Sequence, residues 1–408
     1  MAPFTSFVLA AVCLASTSLA APSPVVSDKP VSATFTKQIN RGNLKGLLAR
    51  DQARAKALLR KSSNSPFSSN AVISVPATNE AVTYLAAVQV GSPATTFNLI
   101  IDTGSSNTWV GATTPFRTTS TSVNTGRRVA VQYGSGDFSG TEFTDRVALG
   151  SSLVIPSQSI GVASTSEGFD GVDGILGIGP VDLTAGTVSG VSTVPTVTDN
   201  LFRQGTITSN LVAVSFNPTT SDEITNGELT FGGTDSSKFS GTITFAPITG
   251  TSPANEFWGI NQVITLGSTS ILASTAGIVD TGTTLTLIAT NAFTRYRSAT
   301  GGVLDRNTGL IRFTQAQFNA LQPLNFVIAG RTFALTANAQ LWPRSLNVDI
   351  GGVANNIYGI VNDLGTNSGE GLDFINGQTF LERFYSVFDT TNRRVGFATT
   401  PFTNSTSN

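Results

Sequence analysis

The chain has 408 residues, 12% of them charged, with a formal net charge of −1, no histidine and a single cysteine, Cys13. The missing histidine excludes Ser-His-Asp and Cys-His catalysis and histidine metal sites, and one cysteine builds neither a disulfide framework nor a zinc cluster. Carboxylates remain as the main agents of proton transfer, with Lys and Tyr as minor candidates.

Residues 1–20 read as a signal peptide: an apolar run from Phe7 to Leu14 is followed by small residues ending in Ser18-Leu19-Ala20. The run is too short to span a bilayer, and no later stretch reaches that length unbroken. The expectation is a secreted, extracellular protein with no membrane association. Removal of Cys13 leaves a mature chain with neither thiol nor disulfide.

Residues 21–70 differ in composition. They hold nine basic residues (Lys29, Lys37, Arg41, Lys45, Arg50, Arg54, Lys56, Arg60, Lys61) and two acids, Asp28 and Asp51, leaving the rest with 15 of the 24 basic and 23 of the 25 acidic residues. Between Asn43 and Lys61, Leu44, Leu47, Leu48, Leu58 and Leu59 recur at helical spacing. Residues 62–70, rich in Ser and Asn, read as a linker. A cationic helix directly behind a signal peptide, on an acidic body, fits a removable pro-segment better than a nucleic-acid or membrane binder. Its charges would dock over an acidic cleft and be released when acid protonates the carboxylates.

From about Ala71 onward the pattern is all-β: short runs of Val, Ile, Phe and Thr between Gly, Pro, Ser and Asn turns. Val82 to Val90 and Thr96 to Ile101 read as strands. Val129, Val131 and Tyr133, then Gly134-Ser135-Gly136, then Phe138, Thr141 and Phe143 predict a hairpin. Short helices are predicted at Val197 to Gln204 and Thr314 to Leu321. A long-range repeat is present: Leu99-Ile100-Ile101-Asp102-Thr103-Gly104-Ser105-Ser106 is echoed 178 residues later by Gly277-Ile278-Val279-Asp280-Thr281-Gly282-Thr283-Thr284. Two similar lobes, each with one copy, follow from that spacing.

Each copy joins the end of a buried strand to a tight turn. Gly lets backbone N–H groups approach the Asp carboxylate, and the hydroxyls of Ser105 and Thr283 can orient it. If the lobes face each other, Asp102 and Asp280 share one proton, because two carboxylates near contact do not both ionise cheaply. The ionised member can then take a proton from water while the other polarises a peptide carbonyl. No metal or cofactor is required.

These residues resemble the pepsin family of aspartic endopeptidases, over about residues 71 to 400. The motifs occur in family order: Asp102 to Asn107 followed by Trp109-Val110; Tyr133-Gly134-Ser135-Gly136; Asp173-Gly174-Ile175-Leu176-Gly177; Asp280 to Thr283; and Phe384 to Asp389 with Arg394 to Ala398. Within the family the chain looks most like polyporopepsin-type enzymes of basidiomycete fungi. The resemblance implies an all-β, bilobal pepsin-like fold with pseudo-twofold related lobes, 71–245 and 246–400, and a cleft between them. It implies a monomeric acid endopeptidase, secreted as a zymogen, that acts on polypeptides and prefers large apolar residues beside the scissile bond. Residue by residue, Asp102 and Asp280 would be the catalytic dyad. Ser105 and Thr283 would bond the outer carboxylate oxygens, Gly104 and Gly282 would supply N–H contacts, and Thr103 and Thr281 would tie the loops together. Tyr133, Gly134, Ser135, Gly136 and Asp137 would form the flap, with the Tyr133 hydroxyl near Trp109. Ile100 and Ile175 would line the primary pocket, ordinary core packing being their other reading.

Three features depart from the family pattern. The interval from Asp102 to Tyr133 is 31 positions, shorter than in vertebrate pepsins, and the intervening loop has no cysteines. Ile375-Asn376-Gly377 carries Asn where Leu is usual, so its side chain needs a partner. The flap position that carries Asp in many fungal members is Ser135 here, with Asp137 two residues on. Two other readings stay open at this level. One is an inactive pepsin-like binding protein; the other is a two-carboxylate glycosidase, which three Trp (109, 258, 342) support poorly as sugar platforms. Asn404-Ser405-Thr406 is an N-glycosylation sequon in a polar tail, 401–408, expected to be disordered.

Overall fold

The computed structural model describes residues 30–41, 44–61, 82–134, 136–218 and 223–407. The expected signal peptide, the linker at 62–70 and Ser135 lie outside the described residues. The first elements are a strand β1 (Val31–Ile39) and a helix α1 (Leu47–Lys61). Then come β2 (Val82–Val90), β3 (Thr95–Asp102) and β4 (Thr108–Val110). The predicted hairpin is β5 (Val123–Gln132) and β6 (Asp137–Ala148). It is followed by β7 (Val154–Glu167), β8 (Gly174–Gly177), β9 (Leu211–Ser215) and β10 (Glu223–Phe231). Among the described residues the strands form sheets of 13, seven and three members, which makes the molecule all-β with two lobes.

The lobes repeat one device. In the first, β3 runs parallel to β8 with Ile100 opposite Ile175 and Ile101 opposite Leu176, and β4 returns antiparallel with Thr108 opposite Leu176. In the second, Thr269–Val279 runs parallel to Phe374–Asn376 with Ile278 opposite Ile375 and Val279 opposite Asn376. Thr286–Ile288 returns with Thr286 opposite Asn376. Asp173-Gly174-Ile175-Leu176-Gly177 is thus repeated as Asp373-Phe374-Ile375-Asn376-Gly377, an echo that the sequence reading passed over. Strands paired in parallel are covered on both faces, which is why they read as unbroken apolar runs.

The basic N-terminal segment is built into this frame. β1 lies between β10 and β2 in the 13-stranded sheet, antiparallel to both. Phe35 is buried against the rings of Tyr84 and Phe216. Two residues on, on the same buried face of β1, Lys37 donates to Glu382 at 2.6 Å, and the Tyr84 hydroxyl donates to the same oxygen at 2.5 Å. In α1 the residues Leu47, Asp51, Arg54, Ala55 and Leu58 form the buried stripe, at the spacing a helix needs to present one face. Arg41, just before α1, pairs with Asp349 at 2.7 Å.

Both predicted short helices exist, as Val197–Arg203 and Gln315–Ala320, and each opens with a capping box, Thr196 with Asp199 and Thr314 with Gln317. A longer helix, Thr290–Thr300, was not foreseen: its N-cap is Ala289 with no side-chain cap, so the usual start signal is missing. The expectation of a disordered tail is corrected. Residues 401–407 fold back on the second lobe: the buried Arg383 guanidinium donates to Ser405 O at 2.6 Å, and the Thr403 hydroxyl donates to Arg383 O at 2.7 Å. Asn404, the sequon residue, stays exposed.

Lys37→Met should leave Glu382 without its cation in a largely buried setting, a change of the kind that costs about 3–5 kcal/mol. The expected outcome is a lower thermal midpoint of the full chain at pH 7 by circular dichroism. An unchanged midpoint would mean that Glu382 is held well enough by Tyr84 alone.

Candidate active site

In each repeat an Asp stands at the end of the parallel strand, Asp102 as its last residue and Asp280 as the first one past it, and the chain turns at once. Asp102 Oδ2 accepts from the Ser105 hydroxyl at 2.5 Å and Oδ1 from the Gly104 amide at 2.9 Å. Asp280 is held in the same way, by the Thr283 hydroxyl at 2.6 Å and the Gly282 amide at 3.0 Å. The lobes are stitched at this point. The Thr103 amide donates to the Thr281 hydroxyl oxygen and the Thr281 amide to that of Thr103, both at 2.9 Å. The two hydroxyls donate onward, Thr103 to Val279 O at 3.1 Å and Thr281 to Ile101 O at 2.8 Å. Gly104 sits where a Cβ would come within 2.6 Å of Asp280 Oδ1, so the close approach of the loops requires glycine. All five of these threonine and aspartate side chains are buried.

The hairpin β5–β6 lies over these loops. Tyr133 N donates to Gly136 O at 2.7 Å, closing its tip. Tyr133, Trp109, Ile100 and Ile175 fall in one apolar cluster with Phe138 and Phe169. Trp109 stacks on Phe138 at 4.2 Å between centroids, and both Trp109 and Tyr133 meet Phe169 edge-on. The Tyr133 hydroxyl comes near Trp109, but neither it nor the indole N–H completes a hydrogen bond. Asp137 faces Glu167 across the strands; burial first, and then the Glu167 charge, push its carboxyl up.

α1 fills the space between the hairpin and the loops. The Arg54 Nε donates to Asp280 Oδ2 at 2.7 Å, while its Nη2 donates to Asp102 Oδ1 at 2.6 Å and Asp280 Oδ1 at 2.9 Å. One guanidinium nitrogen therefore touches both carboxylates. Gly134, at the tip of the hairpin, has the Arg54 backbone directly against it, and a Cβ there would run into Arg54 Cα. Burial raises the carboxyl of Asp102, and the neighbouring Asp280 adds to it against the opposing Arg54 charge. Burial acts on Asp280 as well, but there the Arg54 charge and the hydrogen bonds from Arg54, Thr283 and Gly282 together outweigh it and hold the carboxyl below the usual range. The pair titrates as a unit.

The eukaryotic aspartyl protease family model matches residues 83–400. The chain belongs to that family. It is 68% identical over 338 residues to polyporopepsin of Irpex lacteus, covering 82% of this chain and 99% of that one. It is 32% identical to rhizopuspepsin-1 of Rhizopus niveus, over 84% and 85% of the two chains. The crystal structure of the aspartic proteinase from Irpex lacteus superposes with a TM-score of 0.80 at 59% identity, covering 93% of this chain and all of that one. The protein is thus a pepsin-like acid aspartic endopeptidase that acts on polypeptides. Among the described residues of the protease no helix is long and apolar enough to cross a membrane.

Two features of the protease's cleft escaped the sequence reading. Arg54 was one of nine basic residues, and nothing local marks it as the one that reaches the aspartates. Asp51, three residues earlier, was counted only as an acid. The partner demanded by Asn376 is Gln262: the two amides exchange hydrogen bonds, Gln262 Nε2 to Asn376 Oδ1 at 3.1 Å and Asn376 Nδ2 to Gln262 Oε1 at 2.9 Å. Gln262→Leu should leave the Asn376 amide unpaired in the core and cost about 1–3 kcal/mol. The double variant Gln262→Leu/Asn376→Leu should recover most of that loss in urea unfolding. Equal losses in the single and double variants would show that the pair is not coupled.

Proposed function

We propose that Asp102 and Asp280 are the catalytic dyad and that the observation carrying this role is their symmetry. Two equivalent loops present two carboxylates, each with one hydroxyl and one amide donor, within reach of a single nitrogen. With Arg54 gone, the like charges are relieved by one shared proton instead. A water between them is deprotonated by the ionised member as it attacks the peptide carbonyl. The protonated member donates to the carbonyl oxygen, giving a tetrahedral intermediate with no covalent adduct. Thr103, Gly104, Ser105, Thr281, Gly282 and Thr283 hold both carboxylates in register without competing for the attacking water.

The hairpin from Tyr133 to Asp137 acts as the flap. The apolar wall of Ile100, Ile175, Trp109, Phe138 and Phe169 favours a large apolar side chain next to the scissile bond. Residues 1–20 are the signal peptide of a secreted protein, and 21–70 the pro-segment of a zymogen, with the mature body beginning near 71. The lobes, 71–245 and 246–400, meet within the strand Ser240–Pro247. One chain supplies both loops, so a monomer suffices.

Arg54 occupies the position of water and substrate, which supports latency. The guanidinium stays charged at any working pH, so release depends on the carboxylates. Asp280, depressed while Arg54 is docked, contributes to docking above the ordinary carboxylate range. That contribution is lost as the pH falls through its lowered value.

Asp102→Asn and Asp280→Asn should each lower acid proteolysis of a denatured protein by at least about 10²–10⁴-fold. Pepstatin should abolish the wild-type activity. Retained cleavage in either variant would sink the dyad. In the purified precursor, Arg54→Ala should become active at a pH at least about one unit nearer neutral than wild type, as read by cleavage of a fluorogenic peptide across a pH series. Identical profiles would remove Arg54 as the lock.

A further inference from the structure

Asp51 lies one turn before Arg54 on the same buried face of α1. Its carboxylate is 5% exposed, yet it is not part of the dyad contact. Its Oδ2 accepts from the Leu285 amide at 2.8 Å and its Oδ1 from the Thr284 amide at 3.3 Å. These amides directly follow Asp280-Thr281-Gly282-Thr283, so α1 grips the second loop at two points, at its aspartate and just past its end. The charged groups around Asp51 are Arg50 and Arg54 on its own helix. On the loop it meets, Asp280 is already matched by Arg54. At the next position Gln52 donates to Asp363 O at 2.8 Å, bringing that acid's backbone alongside.

Resting on the pro-segment reading, we propose that Asp51 is a second inhibitory anchor, one that holds α1 on the Thr284 and Leu285 amides independently of Arg54 and that acid strengthens rather than releases. The two grips differ in chemistry. Arg54 meets carboxylates, and the attraction disappears as they are protonated. Asp51 places its own carboxylate in a site with two neutral amide donors, and burying a charge there costs more than burying the neutral acid. Protonated Asp51 keeps a carbonyl oxygen for the Leu285 amide and sheds that cost. Burial is the leading influence and raises the carboxyl to about 6, with the two amides, Arg50 and Arg54 opposing it. A group raised on docking favours the docked state increasingly as pH falls from that value toward its ordinary one. Conversion then requires more acid than the dyad contact alone would demand.

The test is a pH series of conversion rates for the purified full-length precursor, followed by gel, with wild type, Asp51→Ala, Asp51→Asn and Arg54→Ala side by side. Asp51→Ala loses the anchor and should convert at least tenfold faster at pH 5, with α1 more open to hydrogen exchange at pH 7. Asp51→Asn keeps an amide acceptor but cannot titrate. Its conversion rate relative to wild type should therefore rise at least tenfold as pH falls from 6 to 4. Circular dichroism of each variant at pH 7 establishes that it is folded; should Asp51→Ala fail to fold, the Asp51→Asn ratio decides. If Arg54→Ala speeds conversion but Asp51→Ala does not, or if the Asp51→Asn ratio is flat with pH, the second anchor is refuted and the pro-segment reading stands. If Arg54→Ala also leaves conversion unchanged, the pro-segment reading itself fails.

Discussion

Two carboxylates buried side by side are costly, and much of this molecule is arranged to make that pair tolerable. The like charges can be relieved by a cation or by a proton, and the fold provides for both. While α1 is docked, one guanidinium spans Asp102 and Asp280. The hydroxyls of Ser105 and Thr283 and the amides of Gly104 and Gly282 then satisfy the remaining oxygen lone pairs. The reciprocal Thr103–Thr281 bonds fix the separation of the loops, so the pair cannot relax by moving apart. Charge strain that geometry cannot relieve must be relieved by protonation or pairing, which ties the state of the site to pH.

How much of this was legible in the sequence follows from the range of each signal. The 178-residue repeat placed both aspartates, because every residue of the loop has a local task that restricts its type. Strand patterns located the hairpin and β2 for the same reason. Asn376 announced itself as a polar residue in an apolar frame, but Gln262 did not, since it lies in an ordinary strand and its burial is a tertiary fact. The second echo, at Asp173 and Asp373, was weaker because only its Asp, Ile and Gly recur. Arg54 could not be singled out: the amphipathic pattern of α1 was read from its leucines, and those do not say which polar residue shares their face. The tail misled for a related reason. Its polar composition resembles a loose end, yet Arg383, a buried cation twenty residues upstream, needs the tail's carbonyls.

The N-terminal segment is held in two physically different ways. α1 is held at the cleft by Arg54 and Asp51, groups that face titratable partners or titrate themselves. β1 is held by main-chain hydrogen bonds to β10 and β2 and by Phe35 packed on Tyr84 and Phe216. Backbone ladders and aromatic burial do not titrate. Along β1 Lys37 pairs with Glu382, to which Tyr84 gives a second, neutral donor, and Ser32 donates to Glu228.

On the pro-segment reading, acid should therefore act on the two parts unequally. It loosens Arg54 from the aspartates and leaves β1 in its sheet, where removal would open a gap between β10 and β2 and expose unpaired backbone. Departure of β1 would then need another strand to take its place. The order of events is then dictated by the kind of bond at each contact. On that reading the Arg54 contact would open before the strand, because pH reaches carboxylates, whereas the backbone ladders of β1 do not titrate.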